Sequence, residues 1–418
     1  VKKREEPKEV DWVFTLLAIF VSYLNLKFHS ILINPKAPYL KLNAKIKYFI
    51  FCFFTIMFAC KTDIEKTLLV NQRSVPQALK YAKRFSIAKN GNKTIIYLFG
   101  NKSLVDTTNV YILSDSIEQK VTSGFYAIQT PVKSIISLSS LYSYMITELG
   151  SGIAIKAIEN IEYYSNPQII QQIKEGKTDQ VHTGAELNLE KIIKINPSIV
   201  FGFGMPNEIN SSFKKLNEAN IPTVLSFDHL EESPLARAEW LKFYACFLGK
   251  YELADSLFNL IEADYLKTKS IAADVQNKPT VFTELKYGDV WYVPGGKSFM
   301  SNLLADAGAD YIFKSDTHTG SLALSYETVY LKCKSADFWL NLSTSREKKD
   351  LLKNDIRNKE FKAFQLNHLF NNTKVLNSYG YSNYWESGLL YPNKILNDMI
   401  SIFHFRKFDS LYYYQQLN

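Results

Sequence analysis

Residues Glu186–Phe203 spell ELNLEKIIKINPSIVFGF, and a looser copy of that unit, SYETVYLKCKSADFWLNL, returns at Ser325–Leu342. In the first copy Leu189, Ile192, Ile193 and Ile195 recur at helical spacing, and Asn196-Pro197 halts the helix. Ser198–Phe203 is then an apolar run of strand length. In the second copy Tyr326, Val329, Tyr330 and Cys333 fill the equivalent helix face before Phe338-Trp339-Leu340. A short helix feeding a buried strand, met twice at long separation, predicts two similar α/β lobes rather than a tandem array of small repeats. Glu190, within the first helix, is assigned to helix capping. Two lobes enclose a cleft, and clefts between domains are where small ligands bind.

The 418 residues suffice for two domains with additions, and 46% hydrophobic against 22% charged residues is a globular balance. The net charge of +8 is unevenly spread: residues 1–61 hold ten Lys/Arg and four Asp/Glu, so the remainder is nearly neutral. That remainder has no run of Lys/Arg with interleaved aromatics, which sets nucleic-acid binding aside.

The N-terminal segment carries an address. Lys41, Lys45 and Lys47 precede the uncharged apolar run Tyr48–Ala59, which ends in Met57-Phe58-Ala59-Cys60. A basic stretch, a short apolar stretch and a small residue before the cleavage point are the parts of a secretory signal. The apolar run is short for a spanning helix, which needs about 20 residues. Residues 12–33 are a second apolar stretch, open to two readings: a transmembrane helix, or translated sequence upstream of the true start. Cys52 and Cys60 lie in the signal; Cys246 and Cys333 fall on separate expected helices, where a buried reduced thiol is the usual state of an isolated cysteine.

Beyond the tether, short alternating runs over residues 82–116, separated by Asn-Gly and Gly-Asn, carry hairpin chemistry. Strand and helix then alternate. Strands are expected at Lys133–Leu138, Gly152–Ile155, Ser198–Phe203 and Pro222–Phe227, with helices at Leu141–Leu149, Pro167–Glu175 and Glu208–Ala219, a pattern that builds a parallel sheet covered on both faces. Residues 233–275 change to sustained helix with a break at Gly249, a stiff linker. A second α/β layer follows, with strands at Thr280–Leu285 and Lys374–Leu376, a helix over residues 361–370, and a closing helix at Tyr391–His404. The expected organisation is therefore N-terminal apolar segments and signal (1–60), tether and hairpin region (61–131), first lobe (132–232), helical linker (233–275) and second lobe (276–418).

The chain resembles bacterial ABC-transporter substrate-binding proteins of the iron-siderophore and cobalamin type. The resemblance rests on an ordered series over roughly Val132–His404: VKSIISLSS, ELNLEKIIKINPSIVF, IPTVLSF, SPLARAEWLKFYACFLGKYELAD, WYVPGGKSFMSNLLADAGADYIF and ALSYETVYLKCKSADFWLNL. It implies a bilobal protein whose lobes, each a parallel sheet flanked by helices, are joined by one long helix. It implies capture of a metal chelate (ferric siderophore, cobalamin or haem) in the cleft and delivery to an inner-membrane permease served by an ATPase. It further implies a lipoprotein-type signal with lipidated Cys60 anchoring a periplasmic monomer, no catalysis, and no cofactor besides the transported chelate. By position, the carboxylates that meet arginines of the permease are Glu208 and Glu327, and a carboxylate takes a bidentate bond from Arg well. The chain departs from the family in the long insertion before Val132 and in Ser139-Ser140-Leu141-Tyr142 at the first strand-end loop.

In parallel α/β sheets the ligand lies beyond the carboxyl ends of the strands. The residues just past the expected strands include Tyr142, Tyr163, Tyr164, Phe203, Met205, Asp228, His229, Tyr287, Trp291, Tyr292, Tyr379 and Trp385. The ligand-binding set drawn from them is Tyr142, Tyr164, Phe203, Asp228, Trp291, Tyr292, Tyr379 and Trp385; Trp291 and Trp385 stand out because turn residues flank each. Aromatic faces suit a large flat or greasy chelate; lobe packing competes for the same rings. Gly295-Gly296 after Pro294 are assigned to a tight turn. His182, His229, His318 and His368 occur singly, against a multi-histidine site for a bare metal ion. Two other functions share this architecture: a redox enzyme with a metal cofactor in the cleft, and a surface receptor or chaperone that hands on a chelate.

Overall fold

The computed structural model describes residues 76–418, apart from 78, 102–105, 123, 184, 185, 207, 209 and 274. The signal, Cys60 and the start of the tether lie outside the described residues.

The stretch expected to hold hairpins forms a six-stranded sheet: β1 (Pro76–Gln77), β2 (Phe85–Asn90), β3 (Lys93–Phe99), β4 (Thr107–Ser114), β5 (Lys120–Thr122) and β6 (Phe125–Gln129), in the order β1-β2-β3-β4-β6-β5. Gly91 supplies the positive φ, 58°, that the tight turn between β2 and β3 requires.

The first lobe is built on β7 (Ile135–Ser137), β8 (Ile155–Ile158), β9 (Asp179–Gln180), β12 (Ile199–Phe203) and β13 (Thr223–Ser226), all parallel, in the order β13-β12-β7-β8-β9. A small hairpin of β10 (His182–Thr183) and β11 (Glu186–Leu187) stands between β9 and β12 in the chain. The second lobe is built on β14 (Thr280–Thr283), β16 (Asp310–Tyr311), β18 (Phe338–Leu340), β19 (Leu369–Asn371) and β20 (Gln415–Gln416), ordered β16-β14-β18-β19-β20, with β20 alone antiparallel. A hairpin of β15 (Trp291–Pro294) and β17 (Ser321–Leu324) packs beside it. A Cβ at Gly295 would strike the carbonyl oxygens of His318 and Gly320, so the Gly pair serves close backbone approach.

Both copies of the repeated unit fold as expected, helix Leu189–Ile195 into β12 and helix Tyr326–Cys333 into β18. Each repeated strand lies directly beside the strand that opens its sheet, β12 against β7 and β18 against β14. Capping falls to other residues than expected. The Asn188 side chain accepts the Lys191 N–H at 2.9 Å, and Ser325 accepts the Thr328 N–H at 3.2 Å. Glu190 is an exposed first-turn residue.

Three boundaries differ. Gly152–Ala154 is a 3₁₀ turn and the strand begins at Ile155. The second lobe's fourth parallel strand is Leu369–Asn371, whose three residues are buried; at 374–376 only a single bridge, Leu376 to Ser382, forms. The helix expected from Glu208 starts at Ser211, because the Asn210 side chain caps it by accepting from the N–H groups of Ser212 and Phe213.

The linker comprises helices Pro234–Glu239, Leu241–Leu248 and Tyr251–Ala273, the second ending at Gly249 with φ 65°. The 23-residue third helix is tied to the second lobe: Tyr265 donates to Asp306 at 2.7 Å and Asn393 to Asp264 at 2.6 Å. No described helix is long and apolar enough to cross a membrane.

Every residue of Leu241–Leu248 is buried. One face meets the N-terminal sheet, with Phe243 at 5.3 Å from Phe85 and 6.3 Å from Tyr111. The other meets the first lobe, with Tyr244 at 5.0 Å from Phe201 and 5.3 Å from Tyr142. Helix Leu241–Leu248 thus cements two sheets. Phe243→Ala removes a ring that touches both the sheet and its helix neighbours, and an aromatic cavity of this kind costs about 3–5 kcal/mol. Equilibrium urea unfolding of the variant is expected to show that loss; a change under about 1 kcal/mol, no more than a surface substitution gives, would refute the cementing role.

Candidate functional site

The ends of β7, β8 and β12 point at a turn of the second lobe, residues 381–385, and a cavity of about 310 Å³ opens between them. The first lobe contributes Tyr142, Glu159, Tyr163 and Phe203, and the second contributes Tyr381 and Trp385. Leu138, Ser139 and Ser140 complete the wall at the start of helix Ser140–Glu148, with Ser382 across from them. Tyr163 and Tyr381 meet edge to face across the lobes, ring centres 4.9 Å apart.

The second lobe's side of the cleft is latched to the first by polar contacts. Glu386, itself buried, accepts the backbone N–H groups of Ser165 at 2.7 Å and Asn166 at 3.1 Å. The Asn377 amide donates to the carbonyls of Glu162 at 2.7 Å and Tyr164 at 3.0 Å. Tyr391 donates to Glu148. Each of these bonds joins one lobe to the other.

The expected site residues divide into three groups. Phe203 and Trp385 line the cavity with half-exposed rings, and Tyr142 forms its floor, almost wholly buried. Tyr292 and Tyr379 are half-exposed but do not line this cavity. Trp291, Tyr164 and Asp228 require correction. Trp291 is 0% exposed: it lies within β15 rather than past a strand, its ring rests against Phe282 and Trp339, and its indole N–H donates to the Thr283 carbonyl. Alternation along β15 sends Tyr292 outward instead. Tyr164 turns inward, its hydroxyl donating to Glu159 at 2.7 Å. Asp228 is buried and committed to Arg237 at 3.0 Å and to the Ser226 hydroxyl at 2.8 Å.

Three cavity residues, Glu159, Tyr381 and Ser382, escaped the sequence reading. Glu159 directly follows β8 and obeys the strand-end rule; placing that strand at Gly152–Ile155 hid it. Tyr381 follows β19 across a turn in which Asn377 accepts the N–H groups of Tyr379 and Tyr381, and no local pattern announces it. Tyr163 and His229, noted in the sequence among strand-end residues, also bear on the site. The His229 ring stacks on Phe203 at 3.9 Å with Nε2 3.4 Å from the Met205 sulfur, and burial pushes its pKa down to about 4, so it is neutral at physiological pH.

Glu208 and Glu327 are both exposed. Glu208 stands in a groove of about 610 Å³ between the N-terminal sheet and helix Ser211–Glu218, with Thr108, Asn109 and Gly124 opposite. Glu327 opens the second repeated helix and pairs with Arg357 at 3.1 Å. Cys246 and Cys333 are buried free thiols, both pushed up to about 12 by burial. Among the described residues no group of three or more His, Cys, Asp and Glu side chains is placed to hold a metal ion.

Burial holds the Glu159 carboxyl up to about 8, the Glu386 charge adding to it and the Tyr164 hydrogen bond opposing. Burial likewise raises Glu386 to about 7. Groups raised in the folded state favour folding while protonated, so their stabilisation is complete below the ordinary carboxylate pKa and is lost as pH climbs through about 8. Glu159→Gln, which keeps an acceptor for Tyr164, is expected to unfold at a higher temperature than wild type above about pH 8. Below the carboxylate range the two should coincide. Thermal melts across pH decide it, and parallel profiles would show that Glu159 is not held neutral.

Comparison with known proteins bears on the same region. The model of the family described as "Periplasmic binding protein" matches residues 135–374, which contain both parallel sheets except β20 and exclude the N-terminal sheet. The uncharacterized lipoprotein MJ0878 of Methanocaldococcus jannaschii is 26% identical over 366 residues, spanning 82% of this chain and 85% of that protein. The uncharacterized protein MJ0642 of the same organism is 26% identical over 339 residues, 78% of this chain and 90% of that one. Among solved structures, the apo periplasmic heme-binding protein RhuT from Roseiflexus sp. RS-1 superposes with a TM-score of 0.51 at 20% identity, covering 65% of this chain and 98% of that one. A periplasmic heme binding protein from Pseudomonas aeruginosa gives 0.50 at 17% identity, covering 69% and 98%. The sheets, the linker between them and the matched span agree: this chain belongs to the periplasmic binding protein family.

Proposed function

We propose that the protein is the solute-binding component of an ABC importer, anchored through a lipid on Cys60, that captures a metal chelate in the interlobe cavity and delivers it to a permease. The observation that carries the reading is the cavity itself: it lies past the strand ends of one lobe, is closed by a turn of the other, and half of its lining residues are aromatic. Such rings offer apolar area to the organic shell of a chelate. The metal then enters as cargo rather than as a resident cofactor, and the protein performs no chemistry on it. Tyr142, Tyr163, Phe203, Tyr381 and Trp385 are the proposed ligand contacts.

Trp385 makes the reading measurable. Trp240, Trp291 and Trp339 are fully buried, whereas Trp385 is 51% exposed at the cavity. Titration of the full chain with cobalamin, haemin and a series of ferric siderophores is expected to change tryptophan emission saturably with one of them, and Trp385→Phe should remove most of that change. Failure of every chelate to saturate the signal at micromolar levels would defeat the proposal.

Glu208 and Glu327 are the proposed permease contacts, one beside each repeated unit. Arg357 already shows what Glu327 can accept, and it is held independently by Asp355 at 2.7 Å and over the Tyr326 ring at 3.8 Å. Exchanging an exposed ion pair of this kind for one with a permease arginine costs little. The Glu208→Ala/Glu327→Ala double variant is expected to bind its chelate with unchanged affinity while losing most permease-dependent uptake. Uptake at the wild-type rate would remove both residues from the docking surface and would favour a receptor that hands its chelate elsewhere.

A further inference from the structure

The charge of the cavity wall says more about the cargo than its shape does. Of the described residues that line it, Glu159 is the only carboxylic acid, and no Lys, Arg or His is among them. The neighbouring groups extend the same sign: Glu386 acts on Glu159 from the second lobe, and Glu162 and Glu159 both act on Tyr163. The nearest basic groups are otherwise engaged or set back. Arg237 is committed to Asp228 at 3.0 Å, His229 is neutral against Phe203, and burial lowers His182, whose backbone follows Glu159 across the strand edge. Arg346 approaches the backbone at Gly380 without lining the cavity. The positive end of helix Ser140–Glu148, the remaining feature that would draw an anion, faces the cavity beside Glu159, and the Ser140 N–H already acts on that carboxylate. The other walls are Leu138, three serines and aromatic rings, whose faces attract cations, and no Lys or Arg supplies the charged paired donors that carboxylates and catecholates demand.

We propose, on the footing of the chelate-binding reading, that the cleft selects a positively charged chelate over neutral or anionic ones, with Glu159 as counter-charge and Tyr163, Tyr381 and Trp385 as the rings that receive the cation. An empty cleft keeps Glu159 largely protonated, with Tyr164, Tyr163, Glu386 and His182 around it. Arrival of a cation drives the proton from the carboxyl to solvent, so binding is coupled to proton release and tightens as pH rises.

A pair of chelates of equal size isolates the charge. Ferrioxamine B carries a free ammonium, and its N-acetylated form does not; ferric enterobactin supplies a polyanion. Calorimetric titration of the full chain near neutral pH, in buffers of differing ionisation enthalpy, is expected to show ferrioxamine B bound about tenfold tighter than the acetylated chelate, a difference of the size expected of one charge-assisted contact. The cationic chelate should release protons on binding, and its affinity should grow up to about pH 8. Glu159→Gln should abolish the discrimination, the proton release and the pH dependence together. Tyr163→Ala and Trp385→Ala replace half-exposed rings and so provide folded variants if Glu159→Gln is unstable; each should weaken the cationic chelate more than its acetylated partner. Equal affinity for the pair, or tighter binding of ferric enterobactin, overturns the charge assignment while leaving chelate binding intact. Binding of none of the three, nor of cobalamin or haemin, overturns the chelate-binding reading and this inference with it.

Discussion

The burial of helix Leu241–Leu248 from both sides is the constraint on which the rest of the molecule depends. A helix with all eight residues buried must be apolar nearly all round, and LKFYACFL is so except for Lys242. That lysine reaches Glu239 at 3.2 Å and Asp255 at 2.8 Å, and its ammonium lies 4.6 Å from the Phe258 ring centre. Glu239 is fully buried and accepts three successive backbone N–H groups, of Lys80, Tyr81 and Ala82, at 2.8–3.0 Å. Glu231 does the same for Lys83 and Arg84 while accepting the Trp240 indole N–H at 3.1 Å. Two buried carboxylates thus satisfy the backbone of a segment that has no strand partner there, and bring β2 onto the helix. Removal of either would leave backbone donors buried and unpaired, which costs more than the bonds themselves contribute.

This arrangement gives the long insertion a structural meaning. The N-terminal sheet supplies the second apolar face without which the helix would expose Phe243 and Phe247. It also walls the groove in which Glu208 stands, where Gly100 approaches Pro206 and Asn109 bonds to Tyr126. An addition that looks peripheral in the sequence therefore touches the linker that joins the lobes and the loop that follows β12.

Much of the fold was legible because it rests on periodicity. The two repeated units, the linker with its stop at Gly249 and the hairpin chemistry ahead of Val132 are each written in a local pattern of apolar spacing and turn residues. The site was less legible, since its members are set by how strands end. The apolar run Gly152-Ile153-Ala154-Ile155 spans a 3₁₀ turn and a strand start, and nothing in its composition divides the two. That slip of three residues moved the strand end and concealed Glu159. Trp291 misled for a related reason: the residue lies inside a strand, so one position decides whether a ring joins the core or the solvent. Asp228 sits where the strand-end rule places a ligand contact, but Arg237, across a turn from it, claims its charge. Pairings of that kind depend on tertiary geometry that no sequence window contains.

The cavity's small volume bears on how it can admit a ligand. At about 310 Å³ it is near the lower limit of ligand pockets, and any ligand larger than this must part the lobes. Two structures resist that. The aromatic and aliphatic packing of the linker is extensive, and Tyr265 with Asp306 fixes its far end, so the lobes cannot swing as on a free hinge. The rim, by contrast, is held by the Glu386, Asn377 and Tyr391 bonds, while the Asn302 amide, which donates to the Glu232 carbonyl at 3.1 Å, joins the lobes beside the start of the linker. Bonds of this type contribute about 1 kcal/mol net each, and somewhat more where a carboxylate accepts, so the set amounts to roughly 5–8 kcal/mol. Micromolar binding supplies about 8 kcal/mol. Binding of that strength is enough to offset the rim bonds but not the linker core, so the fold favours a parting of the rim, where the Tyr163 and Tyr381 rings meet across the gap, around a stiff spine.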